Sequence, residues 1–219
     1  MGLIAIIDYG SGNLKSVYNA LKNIRGKNTI VVSSSAKEIK KCSHIILPGV
    51  GSFESCIKGL KKSSLLKTIE EKVIELKTPF LGICVGMQML ANKGYENGEF
   101  KGLGWIKGNV KKISPKNKKL KIPHMGWNNL IFEKKTPFTE NLKKKIKKYG
   151  NLKNLDAYFV HSYNFFLDDN SDMVLSTEYG QKITAMVMKK NILGTQFHPE
   201  KSHNFGLIFL ETFIESVDY

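Results

Sequence analysis

The sequence predicts an α/β fold with a mixed, mostly parallel central sheet flanked by helices. Short apolar runs alternate with helix-like segments through the first half, and strand-like runs dominate the second half. Such alternation is typical of parallel β-α-β units, whose crossover helices cover the faces of the sheet. With 219 residues, 42% of them hydrophobic, the chain is long enough for one substantial core. We therefore expect a single domain over residues 1–219.

The first half supplies the alternation. The predicted strands are the apolar runs at residues 3–7, 28–32, 44–47 and 80–83. The predicted helices are the segments at residues 14–23, 53–61, 65–76 and 86–91. The opening run has no basic segment before it and no cleavage-like site after it, so we interpret it as a buried strand and not as a targeting signal.

The second half is dominated by strands. The predicted strands are residues 108–113, 127–132, 157–166, 173–179, 183–189 and 192–197, and the last helix is 205–216. We expect these strands to close the central sheet in mixed directions. Leu142, Ile146 and Tyr149 recur at helical spacing, so the lysine run at 143–148 is predicted to be the solvent face of a short amphipathic helix.

One cysteine lies between two glycines, in the segment Gly82-Ile83-Cys84-Val85-Gly86, where a predicted strand meets a predicted helix. This spacing is typical of a nucleophile elbow, a sharp turn in which glycines remove side-chain bulk around the reactive residue. The free amides of a helix N-terminus favour the thiolate, which is the nucleophilic form. The alternative is that Cys84 is a small buried hydrophobic residue, as many unpaired cysteines are.

A second constellation, Thr195–Ser202, lies far along the chain. In an extended segment, residues two apart point to the same face, so His198 and Glu200 are predicted to project together. Pro199 cannot donate to a sheet ladder, which indicates that the pair lies where a strand ends. Strand ends are where α/β sheets build their sites. A histidine there can take a proton from a thiol while a carboxylate orients the imidazole.

These two motifs together resemble the class I glutamine amidotransferases, whose Cys-His-Glu triad hydrolyses glutamine and hands on ammonia. Four further segments resemble, within that family, the glutaminase subunits of imidazole glycerol phosphate synthase. They are Ile7–Leu14, Pro48–Phe53, Pro123–Asn128 and His161–Tyr163. Because the matches run from residue 6 to residue 202, they cover most of the chain.

The resemblance implies a role for each matching residue. Cys84 attacks the side-chain amide carbon of L-glutamine, His198 is base and then acid, and Glu200 orients His198. Elbow geometry supplies the amide of Val85 as one oxyanion donor, and the resemblance points to the amide of Val50 as the other. An ordinary strand-terminating turn stays the alternative for the segment around Val50. The positions that match the family's glutamine-binding residues are Gly51, Gln88, Ser162 and Tyr163.

The resemblance also implies a protein partner, and no cofactor is expected. The positions that match the family's partner-facing residues are Asn13, Trp127, Asn128, Tyr158 and Lys201. The implied partner is a (β/α)₈-barrel cyclase that forms a heterodimer with this chain and uses the ammonia in histidine biosynthesis. Ammonia that leaks into water at neutral pH becomes ammonium and loses its nucleophilicity, which is the physical reason for a shielded passage.

Two segments depart from the usual pattern of these subunits. The segment 137–156 is longer and richer in lysine than the corresponding connection of these subunits, and Lys93–Gly98 replaces an acidic stretch that is common in them. The departures leave the ammonia acceptor open, because a related pair of proteins delivers ammonia for amidine formation on a surface-polysaccharide sugar. A further alternative is an inactive regulatory subunit, but the complete triad argues against it. Another is a stand-alone hydrolase, but the segment Pro123–Asn128 argues against that.

The net charge of +15 raises the question of a nucleic-acid partner, since lysine and arginine bind phosphates. Arg25 is the only arginine, however, and no basic motif is interleaved with aromatic residues, so we expect no nucleic acid. No apolar stretch approaches the roughly 18 residues of a membrane span. We therefore expect no membrane contact and a cytoplasmic location.

The other cysteines and two of the histidines are expected to be structural. Cys42, Cys56 and Cys84 lack Cys-x-x-Cys spacing and are odd in number, which argues against a metal site or a disulfide framework and implies a reducing compartment. Cys42 and Cys56 are predicted to be buried structural residues. His124 and His161 have no ligand-spaced companion, so we expect packed, hydrogen-bonding histidines and no metal.

Overall fold

Alternating strands and helices form the first half of the computed structural model, which describes residues 2–24, 28–117, 119–149 and 155–216. The strands are β1 (Leu3–Ile7), β2 (Thr29–Ser33), β3 (His44–Gly49) and β4 (Phe80–Cys84). The helices are α1 (Leu14–Lys22), α2 (Ala36–Ile39), α3 (Phe53–Lys62), α4 (Leu66–Glu70) and α5 (Val85–Gln88). The sequence analysis missed α2, and the predicted helix over 65–76 ends in a π-helical turn at Glu71–Glu75.

The second half contains ten strands among the described residues. They are β5 (Lys93–Gly94), β6 (Phe100–Lys101), β7 (Gly108–Lys112), β8 (His124–Asn129), β9 (Ile131–Phe132), β10 (Asp156–His161), β11 (Tyr163–Leu167), β12 (Met173–Glu178), β13 (Lys182–Lys189) and β14 (Ile192–Thr195). The helices are α6 (Pro137–Tyr149) and α7 (His203–Glu215), and short 3₁₀ turns span Asn170–Asp172 and Pro199–Lys201.

The central sheet has eight strands in the order β2-β1-β3-β4-β14-β13-β12-β9. The first five strands are mutually parallel, and the last three run antiparallel to their neighbours. The predicted fold class is therefore confirmed. Gly49 pairs with Cys84 and Thr195 pairs with Ile83, so the carboxyl ends of β3, β4 and β14 lie side by side. Ligand sites of α/β sheets form at this edge.

The prediction that all later strands close the central sheet is wrong. Strands β8 and β10 form a separate antiparallel ribbon, and β11, β7, β5 and β6 form a four-stranded sheet. The strand predicted over 157–166 is divided at Ser162 into β10 and β11, which belong to different sheets. Both strands bury apolar side chains, so the hydrophobic pattern continues through the point at which the pairing partner changes.

Helix α6 packs against α7 and corrects one detail of the predicted amphipathic helix. Leu142 and Ile146 are buried as predicted, but Tyr149 is 53% exposed. Lys145 lies on the packed side, where its Nζ is 3.1 Å from a carboxylate oxygen of Glu211 and 2.5 Å from one of Glu215. The lysine run is therefore not solely a solvent face. Residues 150–154 of the connection that follows lie outside the described residues.

No helix in the described ranges is both long enough and apolar enough to cross a membrane. The cysteines are all buried free thiols. Burial raises the pKa of the Cys42 thiol, which keeps it protonated and unreactive at neutral pH.

Candidate active site

Cys84 lies at the turn between β4 and α5 with a φ of +55° and a ψ of −110°. Residues with a side chain rarely adopt this conformation, and such strain is typical of a nucleophile elbow. A Cβ atom on Gly82 would lie 2.5 Å from the carbonyl oxygen of Gly86, and a Cβ atom on Gly86 would overlap the carbonyl oxygen of Leu47. The turn therefore depends on close backbone contacts that only glycine allows.

His198 and Glu200 form a buried pair, with 2.7 Å between Nδ1 and Oε1 and side-chain exposures of 4% and 1%. The predicted pairing is confirmed, but its predicted cause is wrong. Strand β14 ends at Thr195, and a 3₁₀ turn at Pro199–Lys201 brings Glu200 back to the imidazole. His198 Nε2 has no hydrogen-bond partner among the described residues, so it is available for chemistry.

The protonation of His198 is set by two opposing effects. Burial alone lowers the pKa of this imidazole, but the electrostatic interactions with Cys84 and Glu200 outweigh burial and raise the pKa to about 10. At neutral pH the imidazole is therefore protonated on both nitrogens, with the Nδ1 proton on the Glu200 side. The Nε2 proton is the one available for transfer to a leaving group at the sulfur.

A cavity of about 310 Å³ opens over Cys84 at the strand edge. Its lining comprises Val50, Gly51, Cys84, Val85, Gln88, Glu96, Pro123, Val160, His161, Ser162, Tyr163, His198 and Lys201. The structure thus brings the predicted nucleophile, base, oxyanion residues and glutamine-binding residues around one space, with Glu200 behind His198. A cavity of about 380 Å³ between α1, β2 and α7 is lined by no described cysteine or histidine, so the chemistry belongs to the smaller one.

The end of β3 and the loop that follows it are each anchored at a carbonyl group. The Val50 carbonyl accepts a hydrogen bond from Ser11 Oγ at 2.7 Å and a longer one from Cys56 Sγ at 3.6 Å. The Pro48 carbonyl accepts one from the Tyr9 hydroxyl at 2.8 Å. Cys56, predicted to be structural, is buried as expected and in addition holds this loop in place. The loop is therefore more than a turn that ends a strand, because it forms one wall of the cavity.

The sequence analysis missed two polar groups beside the nucleophile and the cavity, Glu96 and Gln196, and it gave a purely structural role to His161, which also lines the cavity. Glu96 belongs to the segment interpreted there as a departure from the family pattern, yet it lines the cavity, and its Oε2 accepts a hydrogen bond from the Phe53 amide at 2.6 Å. Gln196 donates from Nε2 to Cys84 Sγ at 3.7 Å. Gln196 is two residues before His198, so the alternation argument applied to Glu200 could have found it. No local signal marks Glu96.

Residues 5–214 match the family model of the class-I glutamine amidotransferases. The chain belongs to the class I glutamine amidotransferase family. It is 44% identical over 213 residues to the imidazole glycerol phosphate synthase subunit HisH of Pelagibacter ubique, covering 96% of this chain and 98% of the relative. It is 42% identical over 214 residues to the HisH subunit of Zymomonas mobilis, covering 97% of this chain and 95% of that protein.

Solved structures show the same amidotransferase fold at low sequence identity. A crystal structure of a glutamine amidotransferase matches with a TM-score of 0.67 and 18% identity, covering 97% of this chain and 99% of the other. The structure of PurLQS from Thermotoga maritima matches with a TM-score of 0.67 and 19% identity, covering 98% of both chains. The family predicted from the motifs is confirmed, and with it the expectation of an enzyme.

This amidotransferase carries an exposed aromatic patch beside the cavity, formed by Met125, Trp127, Tyr158, Lys201 and His203. The Trp127 ring, 46% exposed, stacks on His203 at 4.6 Å and meets Tyr158 edge-on at 5.9 Å between ring centroids. Lys201 Nζ lies 5.6 Å from the centroid of the Tyr158 ring. Because Lys201 also lines the cavity, the patch and the cavity are continuous.

The other predicted partner-facing residues lie off the cavity lining. Asn13 is the N-cap residue of α1, and its carbonyl accepts a hydrogen bond from the Val17 amide at 3.2 Å. Asn128 donates to the Glu178 carbonyl at 2.9 Å and lies 3.1 Å from His124 Nε2. His124 and His161 are, as predicted, packed and hydrogen-bonded, with 2.9 Å between His124 Nδ1 and His161 Nε2.

We expect Glu200→Gln to lower glutamine hydrolysis less than His198→Ala, because the amide impairs orientation and charge but leaves the imidazole.

Glu200→Gln should also have a pH-dependent effect on the free energy of unfolding. The folded pKa of His198 is raised from 6.5 to about 10, so the stability it contributes is full below pH 6.5 and is lost as the pH rises to about 10. Urea unfolding should therefore separate wild type and Glu200→Gln most below pH 6.5. A difference independent of pH, or silence of both substitutions in hydrolysis, would contradict the assigned pair.

Proposed function

We propose that this amidotransferase is the glutaminase subunit of imidazole glycerol phosphate synthase. It hydrolyses L-glutamine to glutamate and ammonia and passes the ammonia to a (β/α)₈-barrel cyclase subunit in histidine biosynthesis. One observation carries the proposal: a cavity with a cysteine elbow and a buried His-Glu pair is continuous with an exposed aromatic patch. The similarity to HisH subunits of imidazole glycerol phosphate synthase supports it.

The substrate is held by complementary donors and acceptors. The Gln88 amide nitrogen donates to the Tyr163 carbonyl at 3.3 Å and to Gln196 Oε1 at 2.9 Å, which leaves its oxygen facing the cavity as an acceptor. That oxygen and the Glu96 carboxylate receive the α-ammonium group of glutamine. The donors for its α-carboxylate come from Gly51, Ser162 and Tyr163, which line the same cavity.

The reaction follows from the elbow. His198 first takes the thiol proton of Cys84, the thiolate attacks the carboxamide carbon, and the amides of Val50 and Val85 stabilise the oxyanion. His198 gives its proton to the leaving nitrogen, so that the C–N bond breaks, ammonia departs and a glutamyl thioester forms. His198 then takes a proton from water, whose oxygen attacks the thioester, and the C–S bond breaks to release glutamate. Each cycle consumes one glutamine and one water.

The aromatic patch provides the route out. Protonation in bulk water would make the ammonia unreactive, so the partner must seal the rim of the cavity before release. Exposed Met125 and Trp127 project from β8 at this rim, and large exposed apolar side chains of this kind are typical of protein interfaces. Asn13, Asn128 and Lys201 complete the partner face of the proposal.

The same proposal includes one domain over residues 1–219 and a cytoplasmic location. The single hydrophobic cluster that runs from β1 to α7 supports one domain. Three buried free thiols suit a reducing compartment. A second candidate acceptor, a surface-polysaccharide sugar, requires the same glutaminase site, so the acceptor has to be decided by experiment.

The test is glutamate release by the chain alone, with the purified barrel cyclase of the same organism, and with that cyclase plus the histidine-pathway acceptor. We expect poor hydrolysis alone and strong activation in the full mixture, with one product molecule per glutamate. Trp127→Ala should weaken activation or leak ammonia, whereas Phe166→Ala, which removes a similarly exposed aromatic ring on β11, should not. Full activity of the chain alone would contradict the proposal, and turnover coupled only to amidine formation on a surface-polysaccharide sugar would favour the second acceptor.

A further inference from the structure

A pair of buried histidines lies outside the reaction just described. His124 and His161 are only 2% and 6% exposed, and 2.9 Å separates Nδ1 of the first from Nε2 of the second. His124 is stacked on Tyr179 with 4.0 Å between ring centroids and on Phe159 with 4.8 Å. Two fully packed imidazoles in contact are costly unless their protons are well placed.

Their partners determine where each proton lies. The Tyr163 carbonyl, 2.8 Å from His161 Nδ1, can only accept, so His161 Nδ1 carries the proton and its Nε2 is an acceptor. His124 Nδ1 must then donate to His161, and His124 Nε2 accepts from the Asn128 amide at 3.1 Å. Burial lowers the pKa of His124 to about 4 and that of His161 to about 3, so each ring carries one proton at neutral pH.

The hydrogen bonds continue from Tyr163 to the nucleophile. The Gln88 amide nitrogen donates to the same Tyr163 carbonyl at 3.3 Å and to Gln196 Oε1 at 2.9 Å. This fixes the orientation of the Gln196 amide, whose nitrogen then faces Cys84 Sγ at 3.7 Å. Gln196 has no exposed surface. A continuous series of hydrogen bonds therefore leads to the nucleophile through Asn128, His124, His161, the Tyr163 carbonyl, Gln88 and Gln196.

We propose that Gln196 is a further catalytic residue, which donates its N–H to the Cys84 sulfur as the thiolate forms, and that His124 and His161 are positioning residues that hold it. The proposal rests on the proposed function in taking Cys84 as the nucleophile. A hydrogen bond to a charged acceptor is about twice as strong as one between neutral groups, so the contact favours the thiolate over the thiol. The neutral, single-proton histidines prevent the amide of Gln196 from turning its oxygen toward the sulfur.

Alkylation of Cys84 by iodoacetamide tests the donor without using glutamine, so its result is independent of whether the chain hydrolyses glutamine. The rate is measured against pH, and the modified Cys84 peptide is counted by mass spectrometry. We expect Gln196→Met, a substitution of similar volume, to slow alkylation at pH 7 by about tenfold and to shift the pH-rate curve toward higher pH. An unchanged curve would overturn the proposal. If Gln196→Met does not fold, Gln88→Met removes the donor that fixes the amide and should shift the curve in the same direction; no shift would likewise overturn it.

The positioning role is tested with two packed histidines whose pKa values are both lowered by burial. His124→Phe keeps the stacked ring and removes both hydrogen bonds, and it does not alter the described lining of the cavity. His44→Phe is the control, because His44 is a half-buried histidine outside the cavity lining whose pKa is likewise lowered by burial to about 4 and which packs edge-on against Phe213. We expect His124→Phe to shift the pH-rate curve of alkylation toward higher pH. Combined with Gln196→Met, it should add little further shift. His44→Phe should leave the curve unchanged. Additive effects, or an equal shift in His44→Phe, would overturn the positioning role.

Discussion

We expect Cys84→Ser to abolish glutamine-dependent synthesis while ammonia-dependent synthesis by the assembled complex stays nearly intact. The serine hydroxyl is not ionised at neutral pH and is a poor nucleophile for a carboxamide in a site built around a thiolate. Loss of a triad nucleophile lowers turnover by about 10³-fold or more. The barrel partner does not use this site when ammonia is supplied directly.

The measurement compares product formation from glutamine with product formation from an ammonium salt at mildly alkaline pH. Cys42→Ser is the matched control, because Cys42 is also buried and its thiol is kept protonated. This control should retain both activities. Substantial glutamine hydrolysis by Cys84→Ser, or an equal loss in Cys42→Ser, would remove Cys84 from the role of nucleophile.

We expect the next largest loss from Gly86→Ala. The added Cβ atom would overlap the Leu47 carbonyl oxygen, and a backbone atom in a central strand cannot move aside cheaply. The elbow must open, which displaces the Val85 amide and the sulfur together. We expect destabilisation of about 3 kcal/mol or more, the upper range of overpacking, and loss of both hydrolysis and Cys84 alkylation.

Thermal unfolding and alkylation of Cys84 measure this prediction. Gly59→Ala is the control, since its Cβ atom would lie 3.2 Å from the Tyr9 carbonyl oxygen, a contact that needs only a small shift. Gly59 lies inside α3, where alanine favours the helix by about 1 kcal/mol. Near-native behaviour of Gly86→Ala would show that the elbow does not need glycine at that position.

The sequence alone determined the elbow, the parallel half of the sheet and the His198–Glu200 pair. Their signals are local: two glycines around Cys84, apolar runs bounded by amphipathic segments, and two polar residues separated by a proline. Even there, the pair was predicted for the wrong reason, because a 3₁₀ turn and not an extended strand brings Glu200 to His198. Short-range patterns predict which residues come together more reliably than they predict the backbone conformation that brings them together.

Only the tertiary structure decided where the later strands pair. The division of residues 157–166 at Ser162 is not visible in the apolar pattern, because β10 and β11 both bury apolar side chains although they belong to different sheets. Periodicity records whether a side chain is buried, and it does not record what covers it. The same limit explains Lys145, which pairs with Glu211 and Glu215 of α7 inside a run that is otherwise largely solvated.

The surroundings of the nucleophile were also decided by tertiary contacts. Gln196 meets Cys84 across 112 residues of sequence, and His124 meets His161 across 37. Glu96 reaches the cavity because its segment packs against the start of α3. The sequence specifies the chemistry of a cysteine elbow because that chemistry is contained in a few consecutive residues. The groups that orient the sulfur and receive the substrate come from distant strands, so only the packing of the sheets brings them together.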